Sequence, residues 1–299
     1  MGTVFLLSPP RGLFGWSITI LYSFRGTDGG YPYDGLTLDA GNNLYGATRY
    51  GGSHSCGAFS CGAVFKLSPP VLARTQWTET VLHDFDGTDG FMPNGDLLLD
   101  ASTGALFGTT IQGGLYNGGT VYTLTPPANG GSSWNFETLW QFNAAEAPAH
   151  ISGPNGGLAG ATGALFGTTG LGPYCCGAVF LLSQEFAGSQ QYTFKVLHQF
   201  GSGGDGAAPL AGLLEDASRD LWGTTAEGGA YGFGTVFKLA ADPRYPMVWD
   251  YSVAYSFRGG AADGASPGSP LTADSTGSLY GTSAGGGTGN SGTVYKVIP

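Results

Sequence analysis

Hydrophobic and polar residues alternate in short segments along the whole chain. Residues 16–24 read Trp-Ser-Ile-Thr-Ile-Leu-Tyr-Ser-Phe, so the even-numbered positions from Trp16 to Phe24 form one apolar face. A period of two in short segments rich in β-branched and aromatic residues predicts β-strands. Glycine, proline, asparagine and aspartate follow each segment and predict turns. The chain is therefore expected to consist of short strands and tight loops.

These segments recur in a fixed order. A proline-led stretch, a Leu-aromatic-Gly segment, a Gly-Thr/Ala-Val-Phe/Tyr segment and an aromatic segment that ends in phenylalanine follow one another. The third of these repeats about every 58 residues, beginning at Gly2, Gly62, Gly119, Gly177, Gly234 and Gly292. Four strands per unit at such a period are typical of β-propeller blades.

We therefore predict an all-β fold, a single domain over residues 1–299 that forms a five-bladed β-propeller of four-stranded antiparallel blades. The predicted blades cover residues 33–85, 94–142, 155–200, 210–257 and 269–298. The last has three strands, and we predict that residues 16–24 join it as the fourth and close the ring, which would leave no open sheet edge. Residues 2–8 have no place in that ring. They lie outside it, or the chain is an excerpt of a longer array.

Composition and charge then narrow the functional classes. Glycine makes up 55 of the 299 residues, which suits tight turns and backbones that converge near an axis. The 21 acidic and 11 basic residues give a net charge of −10, which argues against a nucleic-acid partner. No apolar run reaches the length of about 20 residues that a membrane-spanning helix needs. We expect a monomer without a membrane span.

Three segments within residues 21–69 carry a resemblance to a known family. They are Leu21-Tyr-Ser-Phe-Arg-Gly-Thr-Asp-Gly-Gly, Asn43-Leu-Tyr-Gly-Ala-Thr and Cys61-Gly-Ala-Val-Phe-Lys-Leu-Ser-Pro. The chain resembles the Gloeobacter–Verrucomicrobia type tandem repeat, in five units that match in phase. The third unit departs most, because it lacks an Asp-Gly pair. The resemblance implies a secreted or surface-anchored β-propeller and no defined reaction.

The four cysteines lie in loops before Gly-Ala-Val-Phe segments. We predict the disulfides Cys56–Cys61 and Cys175–Cys176, since an even count with one pair per loop favours an oxidising compartment. Zinc is the alternative, although Cys-x4-Cys and Cys-Cys spacings fit its usual ligation poorly. Secretion or a cell-surface location follows from the disulfides. Met1 leads directly into a strand, so we expect that an export signal has been removed.

Two sets of aspartates repeat with the units. The loop aspartates, each followed by glycine, are Asp28, Asp89, Asp205 and Asp263. A ring of carboxylates could hold calcium or a sugar hydroxyl, but Asp-Gly is also a favoured turn dipeptide, which is the interpretation we prefer. No other cofactor is expected. The hairpin aspartates, which we expect to cap turns, are Asp39, Asp100, Asp216 and Asp274.

Function is best sought where the units differ. Directly after the Leu-aromatic-Gly segment the units carry unlike polar residues, and we predict that four of them share one asymmetric pocket at the mouth of the channel: Arg49, Tyr50, Gln112 and Glu227. His54 follows in the same loop. The third unit adds the candidates Glu146, His150 and Tyr174. Ordinary divergence of loops is the alternative explanation.

The predicted function is a binding module that recognises a glycan or a surface protein. A rigid scaffold with aromatic loops and few charges suits a neutral polysaccharide. A glycan-active hydrolase or lyase is the first alternative; a hydrolase would need two carboxylates across the scissile bond, and a lyase a base such as His54 or Tyr50. A structural repeat of a surface layer or adhesin is the second. The sequence contains no Ser-His-Asp motif, phosphate-binding loop or metal-binding histidine pair.

Overall fold

A computed structural model describes residues 1–299 except 11–14, 72–75, 129–130, 132, 144, 146–150, 172–175, 190, 202–203, 243 and 245–247. Every regular element among the described residues is a β-strand, and all paired strands are antiparallel. The all-β prediction is therefore confirmed for this part of the chain.

The strands form five four-stranded sheets and two small ones. The N-terminal sheet pairs β1 (Thr3–Ser8) with β2 (Ser17–Ser23). Sheet 1 contains β3 (Thr37–Leu38), β4 (Leu44–Thr48), β7 (Ala63–Ser68) and β8 (Thr78–Asp84), and a small hairpin of β5 (Ser55–Cys56) and β6 (Phe59–Ser60) lies between its second and third strands. Sheet 2 contains β9 (Phe91–Leu99), β10 (Leu106–Gln112), β11 (Thr120–Thr125) and β12 (Asn135–Gln141).

The remaining sheets repeat this order. Sheet 3 contains β13 (Ser152–Ala161), β14 (Ala164–Leu171), β15 (Ala178–Gln184) and β16 (Tyr192–Gln199). Sheet 4 contains β17 (Leu214–Glu215), β18 (Leu221–Thr225), β19 (Thr235–Ala241) and β20 (Trp249–Ser256). In sheet 5, β21 (Gly264–Pro267) and β22 (Thr272–Ala273) both pair with β23 (Leu279–Gly286), which pairs on its other side with β24 (Thr293–Val297).

The structure corrects the predicted ring closure. Residues 16–24 do not join the last sheet, because β2 pairs with β1 from Thr3 opposite Ser23 to Ser8 opposite Ser17. Among the described residues, β24 is hydrogen-bonded to β23 alone. Residues 2–8 carry the Gly-Thr-Val-Phe segment that forms the third strand of each unit. Residues 16–24, the aromatic segment that forms the fourth strand, follow a few residues later. Pairing these neighbours closes a far shorter loop than pairing the two ends of the chain, so it costs less chain entropy.

Each sheet uses its two faces in the same way. The front face carries the valine of the Gly-Thr/Ala-Val segment, and the back face carries the following Phe or Tyr and a leucine. The front face of sheet 2, with Phe107 and Val121, packs against Leu165, Phe180 and Leu182 on the back face of sheet 3. Equivalent clusters join the N-terminal sheet to sheet 1, sheet 1 to 2, sheet 3 to 4 and sheet 4 to 5. The core is therefore a series of equivalent interfaces between consecutive sheets.

One aromatic contact repeats at every interface. The phenylalanine that follows each fourth strand meets the ring of the next third strand edge-on, with ring centroids 4.9–5.4 Å apart: Phe24–Phe65, Phe85–Tyr122, Phe142–Phe180, Phe200–Phe237 and Phe257–Tyr295. Edge-to-face aromatic pairs add to the energy of burial. Tryptophans just before or at the start of a fourth strand also pack between units: Trp134 contacts Tyr45, and Trp249 contacts Phe166.

Glycine is required where each third strand begins. A Cβ atom on Gly2, Gly62, Gly119, Gly177 or Gly234 would lie 2.3–2.7 Å from the Cδ atom of the first-strand proline of the next unit. Such distances are too short for any side chain. This contact explains why the glycine and the proline recur together, and it brings the first strands of consecutive units close to one another.

Candidate functional site

The proline-led segments of all five units border one central cavity of about 620 Å³. Its lining includes residues 33–35, 94–96, 155–157, 210–212, 268 and 270. The backbones nearly touch there, since a Cβ atom on Gly95 would lie 2.0 Å from the carbonyl carbon of Gly156. We call this space the channel cavity.

The polar side chains of the channel cavity come from the first three units. They are Tyr33, Asp34, Arg49, Asn94, Asp96 and Asn155. The last two units line the cavity with Leu210, Ala211, Gly212, Gly268 and Pro270. The repeated scaffold therefore surrounds a site whose chemistry is confined to one side.

Two carboxylates of this cavity each accept a hydrogen bond from the backbone of the neighbouring unit. The N–H of Gly35 donates to Oδ1 of Asp96 over 2.5 Å, and the N–H of Gly95 donates to Asp34. Burial raises the pKa of the Asp34 carboxyl above its ordinary value, and the Asp96 carboxylate raises it further. The hydrogen bond from Gly95 and the charge of Arg49 act in the opposite direction and lower this pKa.

Arg49 is placed by the backbone directly after β4. Its N–H donates to the carbonyl oxygen of Tyr31, and its guanidinium carbon lies 5.5 Å from the centre of the Tyr33 ring. The Nε atom of Arg49 is buried and has no hydrogen-bond partner among the described residues. Buried donors are nearly always paired in folded proteins. This donor is therefore available to an acceptor that enters the cavity.

A second cavity, of about 630 Å³, lies at the loops of the first unit. Tyr50 stacks on Phe59 with ring centroids 4.8 Å apart, and Tyr31 meets Tyr50 edge-on at 5.7 Å. Tyr31 and Phe59 remain 55% and 53% exposed. The disulfide Cys56–Cys61 anchors the β5–β6 hairpin that carries Phe59, which confirms that predicted pair. We call this space the aromatic cleft.

The predicted common pocket is divided between these places. Arg49 lines the channel cavity and Tyr50 lines the aromatic cleft. Consecutive side chains of an extended strand point to opposite sides, which explains the separation. Ile111 takes the position of Arg49 in the second unit and lines the channel cavity, whereas Gln112 and Glu227 take the position of Tyr50 and are exposed. The predicted pocket combined residues whose side chains point to opposite sides of their strands.

Sequence reasoning passed over most of the channel residues. Tyr33, Asn94, Asp96 and Asn155 lie between the proline and the leucine of the first strand, a stretch regarded only as part of the repeat. A usable signal was present there. The units read Tyr-Asp-Gly, Asn-Gly-Asp, Asn-Gly-Gly, Leu-Ala-Gly and Gly-Ser-Pro at these positions, which is a clear departure from repeat symmetry.

The other predicted site residues have the following positions. His54 is 52% exposed, and its Nδ1 lies 3.5 Å from Oδ2 of Asp84 and 3.5 Å from Oγ of Ser53. The Ser53 hydroxyl donates to the same Asp84 oxygen over 2.5 Å. The serine hydroxyl is thus bound to a carboxylate rather than activated by a histidine. Glu146, His150, Tyr174 and Cys175 lie outside the described residues, as does the predicted pair of Cys175 with Cys176.

The loop aspartates are each engaged by a ring of the preceding fourth strand. The contacts join Tyr22 to Asp28 at 2.6 Å, His83 to Asp89 at 2.7 Å, His198 to Asp205 at 3.1 Å and Tyr255 to Asp263 at 2.9 Å. The loop before the third unit has no Asp-Gly pair, and the preceding fourth strand carries Trp140 at the ring position. Among the described residues, no three His, Cys, Asp or Glu side chains are grouped to hold a metal ion. These carboxylates hold loops together.

The hairpin aspartates cap turns, as predicted. Asp39 accepts hydrogen bonds from the N–H groups of Gly41 and Asn43 and from the Tyr45 hydroxyl. Asp216 accepts from Ser218, from Asp220 and from Nε1 of Trp222. They act on the turns between the first and second strands.

Two solved structures resemble this structure. The structure is similar to the Hadza microbial sialidase Hz136 at 11% identity and a TM-score of 0.50, over 83% of this chain and 52% of the sialidase. It is also similar to the Bombyx mori GH32 β-fructofuranosidase BmSUC1 at 12% identity and a TM-score of 0.46, over 89% of this chain and 58% of that protein. The chain thus spans little more than half of each. At 11% identity the likeness to the sialidase concerns the fold alone.

Sequence comparison identifies the family. No curated protein shows a significant sequence match to the chain. No helix in the described part of the chain is both long and apolar enough to cross a membrane. The family model of the Gloeobacter/Verrucomicrobia repeat matches residues 1–192 and 149–299, two overlapping copies that together cover every residue. The chain therefore belongs to the Gloeobacter/Verrucomicrobia repeat family.

Proposed function

We propose that this protein is a binding module that holds a saccharide in the channel cavity. The observation that carries the proposal is the buried Nε of Arg49, a charged donor without a partner among the described residues, in a cavity of about 620 Å³. That volume lies within the usual range of small-molecule sites, about 300–1,000 Å³. An acceptor oxygen of a ligand would satisfy the donor.

The side chains of the cavity match sugar hydroxyl groups. A hydroxyl accepts from Arg49 through its oxygen and donates to Asp34 or Asp96 through its hydrogen. The amides of Asn94 and Asn155 can do either. Tyr33, which is 72% exposed, offers a ring face for the apolar side of a sugar.

Charge selects a neutral sugar over an acidic one. The cavity holds the carboxyl groups of Asp34 and Asp96 against the single guanidinium of Arg49. A ligand carboxylate would meet one positive and two negative groups in a partly buried space, where like charges repel strongly. The proposed ligand is therefore a neutral saccharide, presented to a secreted or surface-exposed five-bladed propeller.

Calorimetric titration with neutral and uronic oligosaccharides, chosen from a glycan array, tests this proposal. Arg49→Ala removes a buried, charged hydrogen bond and should weaken binding by about tenfold to a hundredfold. Arg49→Lys should restore part of the affinity, because it keeps the charge without the Nε geometry. Arg219→Ala is the matched control, since Arg219 is exposed and pairs with Glu215. Equal binding by wild type and Arg49→Ala would place the sugar elsewhere.

Glycan hydrolysis is the second candidate, and Asp34 is the observation in its favour. Its raised pKa and its position near the Asp96 carboxylate suit a general acid paired with a second carboxylate. Asp34→Asn would then abolish release of reducing sugar while leaving oligosaccharide binding largely intact. A wild-type protein that binds neutral oligosaccharides and releases no reducing sugar from them is a binding module.

A further inference from the structure

The back face of the N-terminal sheet is exposed although its sequence is that of an interior face. Phe5, Leu7 and Ile18 on this face are 54%, 49% and 66% exposed. The residues equivalent to Phe5 and Leu7 in sheets 1 to 4 are all 0% exposed: Phe65, Leu67, Tyr122, Leu124, Phe180, Leu182, Phe237 and Leu239. The N-terminal sheet thus exposes an apolar back face, whereas the same face is covered in sheets 1 to 4.

The front face of sheet 5 is exposed in the same manner. Val294 is 80% exposed, whereas the equivalent valines Val64, Val121, Val179 and Val236 are 0% exposed. Tyr280 on this face is half-buried, and its equivalents Tyr45, Phe107, Phe166 and Trp222 are only 3–5% exposed. The two uncovered faces of the molecule are therefore one front face and one back face.

Front faces and back faces are complementary in this chain, because five interfaces of that kind already hold it together. Two individual residues, Trp16 and Gly292, lack the contact that their equivalents make with a neighbouring unit. Trp16 is 63% exposed, whereas its equivalents Trp134 and Trp249 pack on Tyr45 and Phe166, the counterparts of Tyr280. Gly292 has no proline near the position of a Cβ atom, unlike the five equivalent glycines.

We propose that the front face of sheet 5 in one molecule packs on the back face of the N-terminal sheet of a second copy. Trp16 of one copy would contact Tyr280 of the other, and Phe5 and Leu7 would lie against Val294. The contact is head-to-tail, so each copy keeps one free face, and association continues into chains or closed rings. This assembly differs from the monomer expected from the sequence.

The contact surface is apolar, and each copy carries a net charge of −10. Repulsion between the copies is screened by salt, whereas apolar contact is not weakened by it. Association should therefore become tighter as the salt concentration rises, which is opposite to the behaviour of an assembly held by ion pairs.

Sedimentation velocity over a range of protein concentrations tests the proposal. Wild type should form oligomers larger than dimers. Phe5→Asp and Val294→Asp each place a charge on one of the two faces and should weaken self-association by about a hundredfold or more. Phe186→Asp is the matched control, because Phe186 is 68% exposed and lies on neither face. Circular dichroism melts should show that all three variants remain folded.

A mixing experiment gives the sharper result. Phe5→Asp retains an intact front face and Val294→Asp an intact back face. Their mixture should form a one-to-one dimer that does not grow, although each variant alone is a monomer. A wild type that stays monomeric at every concentration, a mixture that stays monomeric, or continued self-association of either variant alone would overturn the proposal.

Discussion

The loop aspartates and the channel residues lie in the same repeated units but are arranged on opposite principles. Each loop aspartate meets a ring at the same relative position, and Asp89 with His83 closely resembles Asp205 with His198. The channel positions carry Asp34 in one unit and Ala211 in another. A residue that recurs with the repeat therefore maintains the fold, and one that varies at a fixed position in a shared cavity is free to bind a ligand.

The largest expected change in stability comes from removing one of the aromatic rings that recur at the interfaces between sheets. Phe200→Ala deletes a buried side chain whose ring lies 5.2 Å from that of Phe237. Loss of such a ring should cost about 3–5 kcal/mol of the free energy of unfolding. Urea denaturation measures this, with Asn155→Ala in the channel cavity as the control, which should change stability by less than about 0.5 kcal/mol. Equal losses would remove the distinction between the two kinds of position.

A stabilising change should come from restoring a missing member of the repeat. Glu79 occupies the position of Phe136, Phe194 and Tyr251, and Phe136 stacks on His83 with ring centroids 3.8 Å apart. Oε1 of Glu79 is buried and has no hydrogen-bond partner among the described residues. Glu79→Phe should therefore raise the free energy of unfolding by about 1 kcal/mol at pH 8. Lower stability than wild type would show that Glu79 has a partner role of its own.

The burial of Glu79 also predicts that the free energy of unfolding depends on pH. Burial, and then the nearby Asp28 carboxylate, raises the pKa of Glu79 from 4.5 to about 7. The folded state thus binds a proton that the unfolded state releases, so this contribution to stability is complete below pH 4.5 and is lost as the pH rises to about 7. Glu79→Gln should flatten the stability profile between these values. A profile of Glu79→Gln that remains parallel to that of wild type would contradict the assignment.

The smallest effect concerns a loop aspartate. Burial opposes ionisation of Asp28, but hydrogen bonds from the Tyr22 hydroxyl and the Arg25 N–H hold its pKa below the ordinary value of 3.8. Its contribution to stability is therefore present above pH 3.8 and is lost as the pH falls below that value. Asp28→Asn should reduce the acid sensitivity of thermal unfolding below pH 4. An unchanged acid profile would show that the Tyr22 contact is not maintained in solution.

The strand pattern and the repeat were sufficient to predict the fold class, because they depend on local chemistry. Alternation along residues such as Trp16 to Phe24 specifies which side chains share a face, and the recurrence of glycine and proline specifies where turns fall. The Cys56–Cys61 disulfide was predictable for the same reason, since five residues separate the two cysteines.

The partners of β2 and the composition of the site depended on the tertiary structure. The sequence of residues 16–24 is equally suited to pair with β24 or with β1, and the short connection to β1 decided the outcome. Asp34, Asp96 and Arg49 are brought together by the convergence of the proline-led segments of the first two units with the end of β4, over distances of up to 62 residues in the chain. A repeat determines the faces of each unit, but only the packing of units around an axis determines which of their side chains share a cavity.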